Sequence, residues 1–305
     1  MPISPDSQRP ALLRPEPGTA TLKPARWGGS RLAQLRGVAQ TDPPIGESWE
    51  FSTLPGSPSR ALGRALSDVL GRPLPFLAKL IDTAAALSIQ VHPPDAPGQL
   101  GKEEAWVVLD AVPGATLLAG VRPGVDDDGL DAGMRRAIAD PTNDATLLGL
   151  LESIPVRRGS VVVVPAGTVH AIGPGILLAE IQQPVDCTYR LFDYGSGRPI
   201  HPDAARAAWR VDARPEIWHV GDPLRPLAGK HVGLALWGEG AQDIAVGTVP
   251  RLLVAVGGDV VVRVNDGSGA DPCEVAMKHG DLVLHVHGSL HASVAPGAML
   301  VTGTV

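Results

Sequence analysis

The stretch Ser88-Ile89-Gln90-Val91-His92-Pro93 alternates polar and apolar residues, and this pattern decides the fold prediction. Successive side chains of a β-strand point to opposite faces, so Ser88, Gln90 and His92 share one face while the residues between them pack on the other. Burying three polar side chains in succession is costly unless a bound group satisfies them. The stretch therefore predicts a strand of a β-barrel whose polar interior holds a metal ion and a small polar ligand.

The segment Gly101–Trp106 continues this alternation. Lys102, Glu104 and Trp106 fall on one face of the predicted strand. Glu103 falls on the other face, where we expect it to be directed to solvent. Glu103 and Glu104 could equally form an exposed acidic pair, so this segment alone leaves a metal ligand and a surface charge both open.

A third segment, Pro165–Gly173, runs from a strand into a glycine-containing turn and presents His170. With Gln90, His92 and Glu104, this histidine gives a set of nitrogen and oxygen donors that suits zinc or a similar divalent cation. A single carboxylate leaves such a site with net positive charge, which would stabilise an anionic oxygen of a ligand. Iron-dependent oxygenases also use two histidines and a carboxylate, so the donors predict a metal site without fixing its reaction.

Glycine and proline separate short apolar segments along the whole chain, with 36 Gly and 30 Pro in 305 residues. This pattern is typical of many short strands joined by turns. The predicted strands are Leu87–His92, Ala105–Ala111, Thr116–Gly120, Val161–Pro165, Gly175–Ile181, Gly233–Leu236, Leu252–Val256, Val260–Val264, Asp281–His285 and Met299–Val301. Helical spacing is confined to Ser59–Leu70, Leu130–Ala139 and Asn143–Ser153.

A basic or polar residue followed by glycine, a small polar residue and a strand occurs at Arg158–Pro165 and again at His279–His285. The repeat predicts two barrels of one plan. We expect a flexible lead-in over residues 1–20, a metal-binding domain with helical insertions over 21–212, and a second domain over 225–305. A second metal site in the latter could use His285, His287 and His291, although Asp281 is its only obvious carboxylate partner.

Composition excludes several classes of function. The net charge of -6 argues against binding to nucleic acid, which requires clustered basic residues. A small anionic ligand remains compatible, because one arginine and one lysine suffice to bind a phosphate. The N-terminus lacks the apolar core of a signal peptide, and no apolar run is long enough to span a bilayer. Cys187 and Cys273 cannot build a disulfide framework, so we expect a cytoplasmic protein with no membrane partner.

These segments resemble the type I mannose-6-phosphate isomerases of the cupin superfamily, in their short bacterial form. Matches occur in the family's order over about residues 25–200, and the C-terminal third matches only in outline. The matching stretches are Trp27–Leu32, Gly46–Ser52, Leu77–Asp82, Leu87–Pro94, Gly101–Trp106, Val164–Gly173 and Glu180–Tyr194. One departure follows Tyr194, where Gly195-Ser196-Gly197 delays an arginine, Arg198, that the family usually reaches sooner.

The resemblance implies a mainly β fold of two cupin-type jelly-roll barrels, with a few helices inserted in or flanking the N-terminal barrel. It implies an enzyme that interconverts mannose 6-phosphate and fructose 6-phosphate, with a non-catalytic second barrel. One zinc ion per chain, or another divalent ion, would be held by Gln90, His92, Glu104 and His170.

The resemblance also implies roles around the reacting carbons. Arg190 corresponds to the catalytic arginine, Lys102 and Ser88 to substrate contacts, and Asp186 to an acidic residue near those carbons. Isomerisation moves a proton between C1 and C2 through a cis-enediol or enediolate, which Arg190 would stabilise. Lys102 or Asp186 could carry the proton, and Lys102 could instead bind phosphate.

The expected partner is a phosphorylated hexose, bound by a monomer or weak homodimer. An iron oxygenase and a non-catalytic sugar-phosphate-binding cupin remain alternatives.

Overall fold

The structure, a computed structural model, describes residues 10–16, 22–142, 144–245, 249–267, 269 and 271–305. Its strands are β1 (Leu12–Leu13), β2 (Leu22–Pro24), β3 (Ile45–Phe51), β4 (Arg60–Ala61), β5 (Arg64–Ala65), β6 (Leu77–Asp82), β7 (Ile89–Val91), β8 (Glu104–Ala111), β9 (Thr116–Val121), β10 (Leu151–Pro155), β11 (Val161–Val164), β12 (His170–Ile172), β13 (Ile176–Gln182), β14 (Tyr189–Phe192), β15 (Glu216–Trp218), β16 (Leu227–Ala228), β17 (Gly233–Trp237), β18 (Gly240–Ile244), β19 (Arg251–Val256), β20 (Val260–Asn265), β21 (Cys273–Met277), β22 (Leu282–His285), β23 (Ser289–Val294) and β24 (Met299–Thr304). Its helices are α1 (Arg31–Arg36), α2 (Leu66–Leu70), α3 (Asp127–Ala139), α4 (Ala145–Leu148) and α5 (Pro202–Ala208). The predicted mainly β class is confirmed, and each predicted strand overlaps an observed one.

Four antiparallel sheets carry the fold. A seven-stranded sheet has the order β15-β11-β8-β13-β6-β3-β2, and a five-stranded sheet the order β10-β9-β12-β7-β14. The C-terminal part supplies a six-stranded sheet, β1-β22-β19-β24-β17-β16, and a four-stranded sheet, β18-β23-β20-β21. A short β4-β5 pair stands apart.

The sheets are stacked in layers with apolar residues between them. Trp106 and Leu178 of the seven-stranded sheet share one buried cluster with Leu117 of the five-stranded sheet. On its opposite face the seven-stranded sheet shares a cluster with Leu234 and Val254 of the six-stranded sheet. Further clusters join the six- and four-stranded sheets, and the five-stranded sheet and the helices α3, α4 and α5. The seven-stranded sheet is therefore covered on both faces.

The four valines of β11 show how this layering follows from the sequence. Val162 and Val164 pack towards the five-stranded sheet, whereas Val161 and Val163 pack towards the six-stranded sheet. All four are buried. An uninterrupted apolar run bounded by turns is expected for a strand buried on both faces, and burial of this apolar area stabilises the stack of layers.

Two helix predictions are partly wrong. In Ser59–Leu70 the helix occupies only α2, because Leu62 and Gly63 adopt φ values of 53° and 72° and turn the chain between β4 and β5. Consecutive residues with positive φ form the tight turns of β-hairpins. In Asn143–Ser153 the helix ends with α4 and the chain enters β10, while Asn143 itself lies outside the described residues. The prediction over Leu130–Ala139 is confirmed by α3.

The prediction of a flexible lead-in over residues 1–20 is wrong for residues 11–13, which are buried and include a strand. Leu12 pairs with His285 and Leu13 with Leu284, so β1 extends the six-stranded sheet. Ala11, Leu12 and Leu13 are buried, because this apolar triplet covers the edge of β22. The other parts of the predicted lead-in, residues 1–9 and 17–20, lie outside the described residues. No helix among the described residues has the length and apolar character needed to cross a membrane.

Candidate active site and metal centre

The predicted metal ligands come from three strand segments in two facing sheets. In the five-stranded sheet, Gln90 of β7 pairs with His170 of β12 on one side and with Arg190 of β14 on the other. His92 directly follows β7. Glu104 opens β8 in the seven-stranded sheet, and Trp106, two residues further on the same face, packs edge-on against the His170 ring, with ring centroids 5.4 Å apart. Side chains far apart in sequence therefore meet between the two sheets.

His92, Glu104 and His170 form a compact buried group. Nε2 of His92 lies 3.3 Å from Oε2 of Glu104, and Nε2 of His170 lies 3.3 Å from Oε1. The ligand atoms of all three residues fall within 4.8 Å of one another, and this is the one group among the described residues that could hold a metal ion through histidine, cysteine or carboxylate donors. Gln90 Nε2 lies 3.2 Å from His170 Nε2. Rotating the Gln90 amide by 180° would exchange its oxygen and nitrogen and turn Oε1 towards the group. Which of the two orientations the amide adopts depends on its hydrogen-bond partners.

Both imidazole rings are oriented by backbone carbonyls. His92 Nδ1 donates to the carbonyl of Cys187 at 2.8 Å, and His170 Nδ1 donates to that of Thr168 at 2.9 Å. A carbonyl can only accept, so each Nδ1 carries the proton and each Nε2 presents a lone pair to the centre. Such an orienting hydrogen bond accompanies almost every metal-ligating histidine.

The charge states also suit a metal ion. Burial, together with the nearby Lys102 ammonium, lowers the pKa of His92 to about 3, and burial lowers that of His170. Burial alone would raise the pKa of Glu104, but the Lys102 ammonium, with smaller effects of His92 and His170, outweighs burial and holds that pKa well below its ordinary value. Neutral imidazoles and an ionised carboxylate are the forms that bind metal.

An oxygen atom of Glu104, unpaired within the part of the chain that the structure describes, is further evidence that this group of donors fits a divalent cation. Oε1 of Glu104 is buried without a hydrogen-bond partner among the described residues. The Lys102 ammonium contacts Oε2 of Glu104 and lies 2.8 Å from Nε2 of His92. A positive charge is thus already in contact with two of the candidate ligands. Gln90, His92, Glu104 and His170 would together hold the ion.

A cavity of about 100 Å³ adjoins this group and collects most of the other predicted site residues. Gln90 and Lys102 line it while also contacting the metal-ligand group. It is lined by Trp27, Glu47, Lys79, Ile81, Leu87, Ser88, Gln90, Lys102, Ile172, Glu180, Asp186, Thr188, Arg190 and Arg198. A wider cleft of about 520 Å³ shares Trp27 and Arg198 with it.

The predicted substrate contacts differ in exposure. Ser88 is buried and Lys102 is 4% exposed, whereas Asp186 is exposed at the cavity. Nε of Arg190 is buried and has no hydrogen-bond partner within the described chain. Because this N–H group of the guanidinium makes no hydrogen bond within the described part of the protein, it can donate to an anionic ligand.

Arg198 reaches the cavity despite the three-residue delay after Tyr194. Tyr194, Gly195 and Gly197 have φ values of 51°, 67° and 84°, and these left-handed residues turn the chain back. Arg198 then binds Asp193 with two hydrogen bonds, from Nε at 2.7 Å and Nη2 at 2.5 Å. The cavity therefore has two arginines, Arg190 and Arg198.

Sequence reasoning gave no role to Lys79 and Glu180, which form a second buried ionic group. Lys79 Nζ lies 3.0 Å from Glu180 Oε1 and 3.6 Å from Glu47 Oε2, and Trp106 Nε1 donates to Glu180 at 3.2 Å. Burial disfavours the charged lysine, but Glu180 and Glu47 outweigh it and raise the pKa of Lys79. Burial and the nearby Glu104 raise the pKa of Glu180. A charged residue flanked on both sides by apolar residues within a strand was the available signal for both residues.

One expectation is corrected, and a possibility that the sequence left open finds no support. Glu103 was expected to face solvent, yet it is 3% exposed because the turn between β16 and β17 covers it. The C-terminal histidines form no second group of this kind among the described residues. His285 is buried, with Nε2 3.2 Å from the carbonyl of Gly288, and His291 binds Asp243 at 2.8 Å.

Comparison with known proteins agrees with this architecture. No family model matches the chain. The mannose-6-phosphate isomerase of Streptococcus mutans is 34% identical over 202 residues, which are 57% of this chain and 61% of that protein. GmuF of Bacillus subtilis, described as a probable mannose-6-phosphate isomerase, is 31% identical over 246 residues, 70% of this chain and 74% of that protein. The match thus spans about three fifths of the length of the streptococcal relative.

Solved structures resemble the chain over nearly its whole length. The mannose 6-phosphate isomerase from Bacillus subtilis has a TM-score of 0.72 at 23% identity and covers 97% of this chain and 100% of its own. A mannose 6-phosphate isomerase bound with zinc and yttrium has a TM-score of 0.66 at 16% identity, with coverage of 97% and 99%. At these identities the likeness establishes the fold.

Fold and site together define a mainly β protein of layered antiparallel sheets with a buried group able to bind a metal ion. Within that class, the chain belongs to the mannose-6-phosphate isomerase family. The resemblance read from the sequence is thereby confirmed.

Proposed function

We propose that the chain is an aldose–ketose isomerase that interconverts mannose 6-phosphate and fructose 6-phosphate. The observation that carries the proposal is the convergence of Gln90, His92, Glu104 and His170 beside a cavity lined by Lys102, Asp186 and Arg190. Membership of the family supports this activity over that of an oxygenase.

We assign one zinc ion per chain to Gln90, His92, Glu104 and His170. Two imidazole nitrogens, a carboxylate and an amide oxygen suit a borderline cation, and a related mannose 6-phosphate isomerase has been solved with zinc. When bound, the cation would act as a Lewis acid that polarises the sugar carbonyl and stabilises negative charge on its oxygen.

The proton transfer requires a base beside C2 of the open-chain aldose. The base takes the C2 proton, the C–H electrons form the C1–C2 double bond, and the carbonyl electrons move onto O1. Return of that proton from the base to C1, and transfer of the O2 proton to O1 as the C2 carbonyl forms, then give the ketose. Asp186 presents a carboxylate to the cavity, whereas the Lys102 ammonium contacts Glu104 and must first lose a proton before it can accept one. This favours Asp186 as the base.

Cationic side chains around the cavity would stabilise the negative charge that proton removal creates. Arg190 is permanently charged and would stabilise the enediolate oxygens. Lys102 would add positive charge from the opposite sheet, and Ser88 would contact a sugar hydroxyl or the phosphate. The proposed preference for a phosphorylated hexose is supported by the two arginines that line the cavity, Arg190 and Arg198.

The finer assignments of fold and state are also proposals. We propose that the seven- and five-stranded sheets, apart from β15, form a first jelly roll over residues 21–212, and that the six- and four-stranded sheets, apart from β1, form a second, non-catalytic one over 225–305. Cytoplasmic localisation and a monomer or weak homodimer stay predictions.

A coupled assay tests the activity. Fructose 6-phosphate formed from mannose 6-phosphate is converted to glucose 6-phosphate and oxidised with production of NADPH, with and without chelator and added zinc. We expect turnover that a chelator removes and zinc restores. Binding of sugar phosphate without turnover in the presence of zinc would favour a non-catalytic cupin, and oxygen consumption with iron would favour an oxygenase.

A further inference from the structure

Glu103 lies between two residues of the candidate site, but its side chain points away from the cavity. Its carboxylate enters the turn that joins β16 to β17, where Oε1 accepts the backbone N–H groups of His231 and Val232, each at 2.8 Å. Oε2 accepts the N–H of Lys230 at 3.1 Å. Three consecutive backbone amides thus surround one buried carboxylate, an arrangement that favours an anion.

The turn is shaped to receive this carboxylate. The N–H of Gly229 donates to the carbonyl of Val232 at 2.9 Å and closes the turn. A Cβ atom at Gly229 would lie 2.2 Å from Oε1 of Glu103, so any other residue there would displace the side chain. The close approach therefore depends on glycine at this position.

A second carboxylate joins the same turn to the chain that precedes β8. Oδ2 of Asp95 accepts from Nε2 of His231 at 2.6 Å and from Nζ of Lys230 at 3.2 Å. Oδ1 accepts from the backbone N–H of Gly101 at 2.8 Å and from Nε2 of Gln183 at 3.1 Å. Asp95 therefore ties together the turn, the end of β13 and the start of the site segment.

The backbone of Glu103 is held as firmly as its side chain. Its N–H donates to Oε1 of Gln183 at 2.8 Å, and its carbonyl accepts the N–H of Gln183 at 3.0 Å. Since neighbouring side chains of a strand point to opposite faces, fixing Glu103 in the turn also fixes the direction of Lys102 and Glu104.

We propose that Glu103 is a positioning residue through which the turn at residues 229–232 sets the orientation of Glu104 and Lys102. The C-terminal part of the chain thereby takes part in forming the site, although none of its residues lines the cavity beside the metal ligands. This inference rests on the proposed function, since it assumes that Glu104 binds a metal ion. Mutation of a residue that orients a metal ligand without binding the metal itself typically costs 10- to 100-fold in metal affinity.

The test compares Glu103→Gln with Glu216→Gln. Glu216 accepts the N–H of Ala228 at 2.8 Å, just before the same turn, but lies on β15 at the edge of the seven-stranded sheet and outside the cavity lining. Both variants remove one carboxylate that accepts backbone N–H groups from the same hairpin. Metal affinity is measured by competition with a chelator, using zinc and then cobalt, whose visible spectrum reports ligand geometry.

We expect Glu103→Gln to weaken metal binding by roughly 10- to 100-fold and to change the cobalt spectrum, while Glu216→Gln leaves both as in the wild type. In the metal-free proteins, amide hydrogen exchange over residues 101–109 should speed up in Glu103→Gln alone. Equal effects of the two variants on affinity, or an unchanged affinity and exchange in Glu103→Gln, would overturn the proposal. A wild-type protein that binds no metal would instead refute the proposed function, and the exchange comparison would still test the coupling.

Discussion

Nε2 of His170 lies 3.3 Å from Oε1 of Glu104, although the two residues belong to facing sheets. His170 opens β12 in the five-stranded sheet and Glu104 opens β8 in the seven-stranded sheet. A metal ion bound to both would cross-link the sheets. Metal binding and the stability of the layered fold are therefore coupled.

Metal removal should lower the thermal midpoint. A ligand that binds only the folded state adds RT ln(1 + [L]/Kd), about 2.7 kcal/mol at a hundredfold excess over Kd. We expect zinc to raise the midpoint of the chelated protein by several degrees, and Glu104→Gln to abolish the shift. Differential scanning fluorimetry with and without zinc measures both. A full zinc shift in Glu104→Gln would remove Glu104 from the ligand set.

Arg190→Ala should separate turnover from metal binding. Arg190 lines the cavity, and its Nε has no partner within the described residues, so it is free to act on substrate. Loss of one electrostatic stabiliser of a transition state costs roughly 10²–10³-fold in kcat. We expect such a loss with zinc content unchanged, as measured by the coupled assay and by metal analysis. Parallel loss of zinc and activity would show that Arg190 supports the metal site instead.

The pH dependence of stability should report the buried imidazoles. His92 has a pKa of about 3 when folded, below the ordinary value of 6.5, chiefly because it is buried. Between these values the unfolded chain binds a proton that the folded chain does not, so stability falls as pH decreases from about 6.5 towards 3. The contribution is at most about 1.4 kcal/mol per pH unit.

Urea unfolding of the metal-free protein at pH 7, 6 and 5 measures this slope. In His92→Gln the slope between pH 6 and 5 should be smaller than in the wild type, because one buried imidazole has been removed. The other histidines, His291 among them, are present in both proteins, so their contributions to the slope cancel in the comparison. Identical slopes would mean that His92 is protonated to the same extent in the folded and unfolded states.

Local pattern predicted much of this molecule, because alternation along a strand fixes which side chains share a face. It placed Ser88, Gln90 and His92 together and oriented Glu104 and Trp106 correctly. It could not predict what covers each face. Glu103 was expected in water because nothing in its own segment reveals the turn from the C-terminal part that binds it.

Long-range pairing and local backbone conformation explain the remaining differences. Leu12 pairs with His285, residues that no local pattern connects. Leu62 and Gly63 turn the chain inside a segment whose apolar spacing is helical. The turn forms a short hairpin there, so the helix predicted from the spacing is interrupted. For Leu12 the deciding interaction lies outside the segment in which the pattern was read, whereas for Ser59–Leu70 it is a turn within that segment.

The buried pair of Lys79 and Glu180 gives a final prediction. Nζ of Lys79 and Oε1 of Glu180 are 3.0 Å apart, and both side chains are less than a tenth exposed. Removing one partner of a buried ion pair leaves an uncompensated charge and costs roughly 3–5 kcal/mol, whereas replacing both with apolar residues is often nearly neutral. Lys79→Met would leave Glu180 beside Glu104, whose like charge already raises its pKa.

A double-mutant cycle in urea tests this coupling. We expect Lys79→Met and Glu180→Met each to destabilise the protein by several kcal/mol, and the double variant to lose less than the sum of the two. Exposed Arg263 and Glu274, paired on β20 and β21, provide a matched control in which the single and double losses should stay within about 1 kcal/mol. Additive losses at Lys79 and Glu180 would mean that the pair is not coupled. Because both residues line the cavity, the double variant should also lose turnover while staying folded, which would show that the pair serves the site rather than stability.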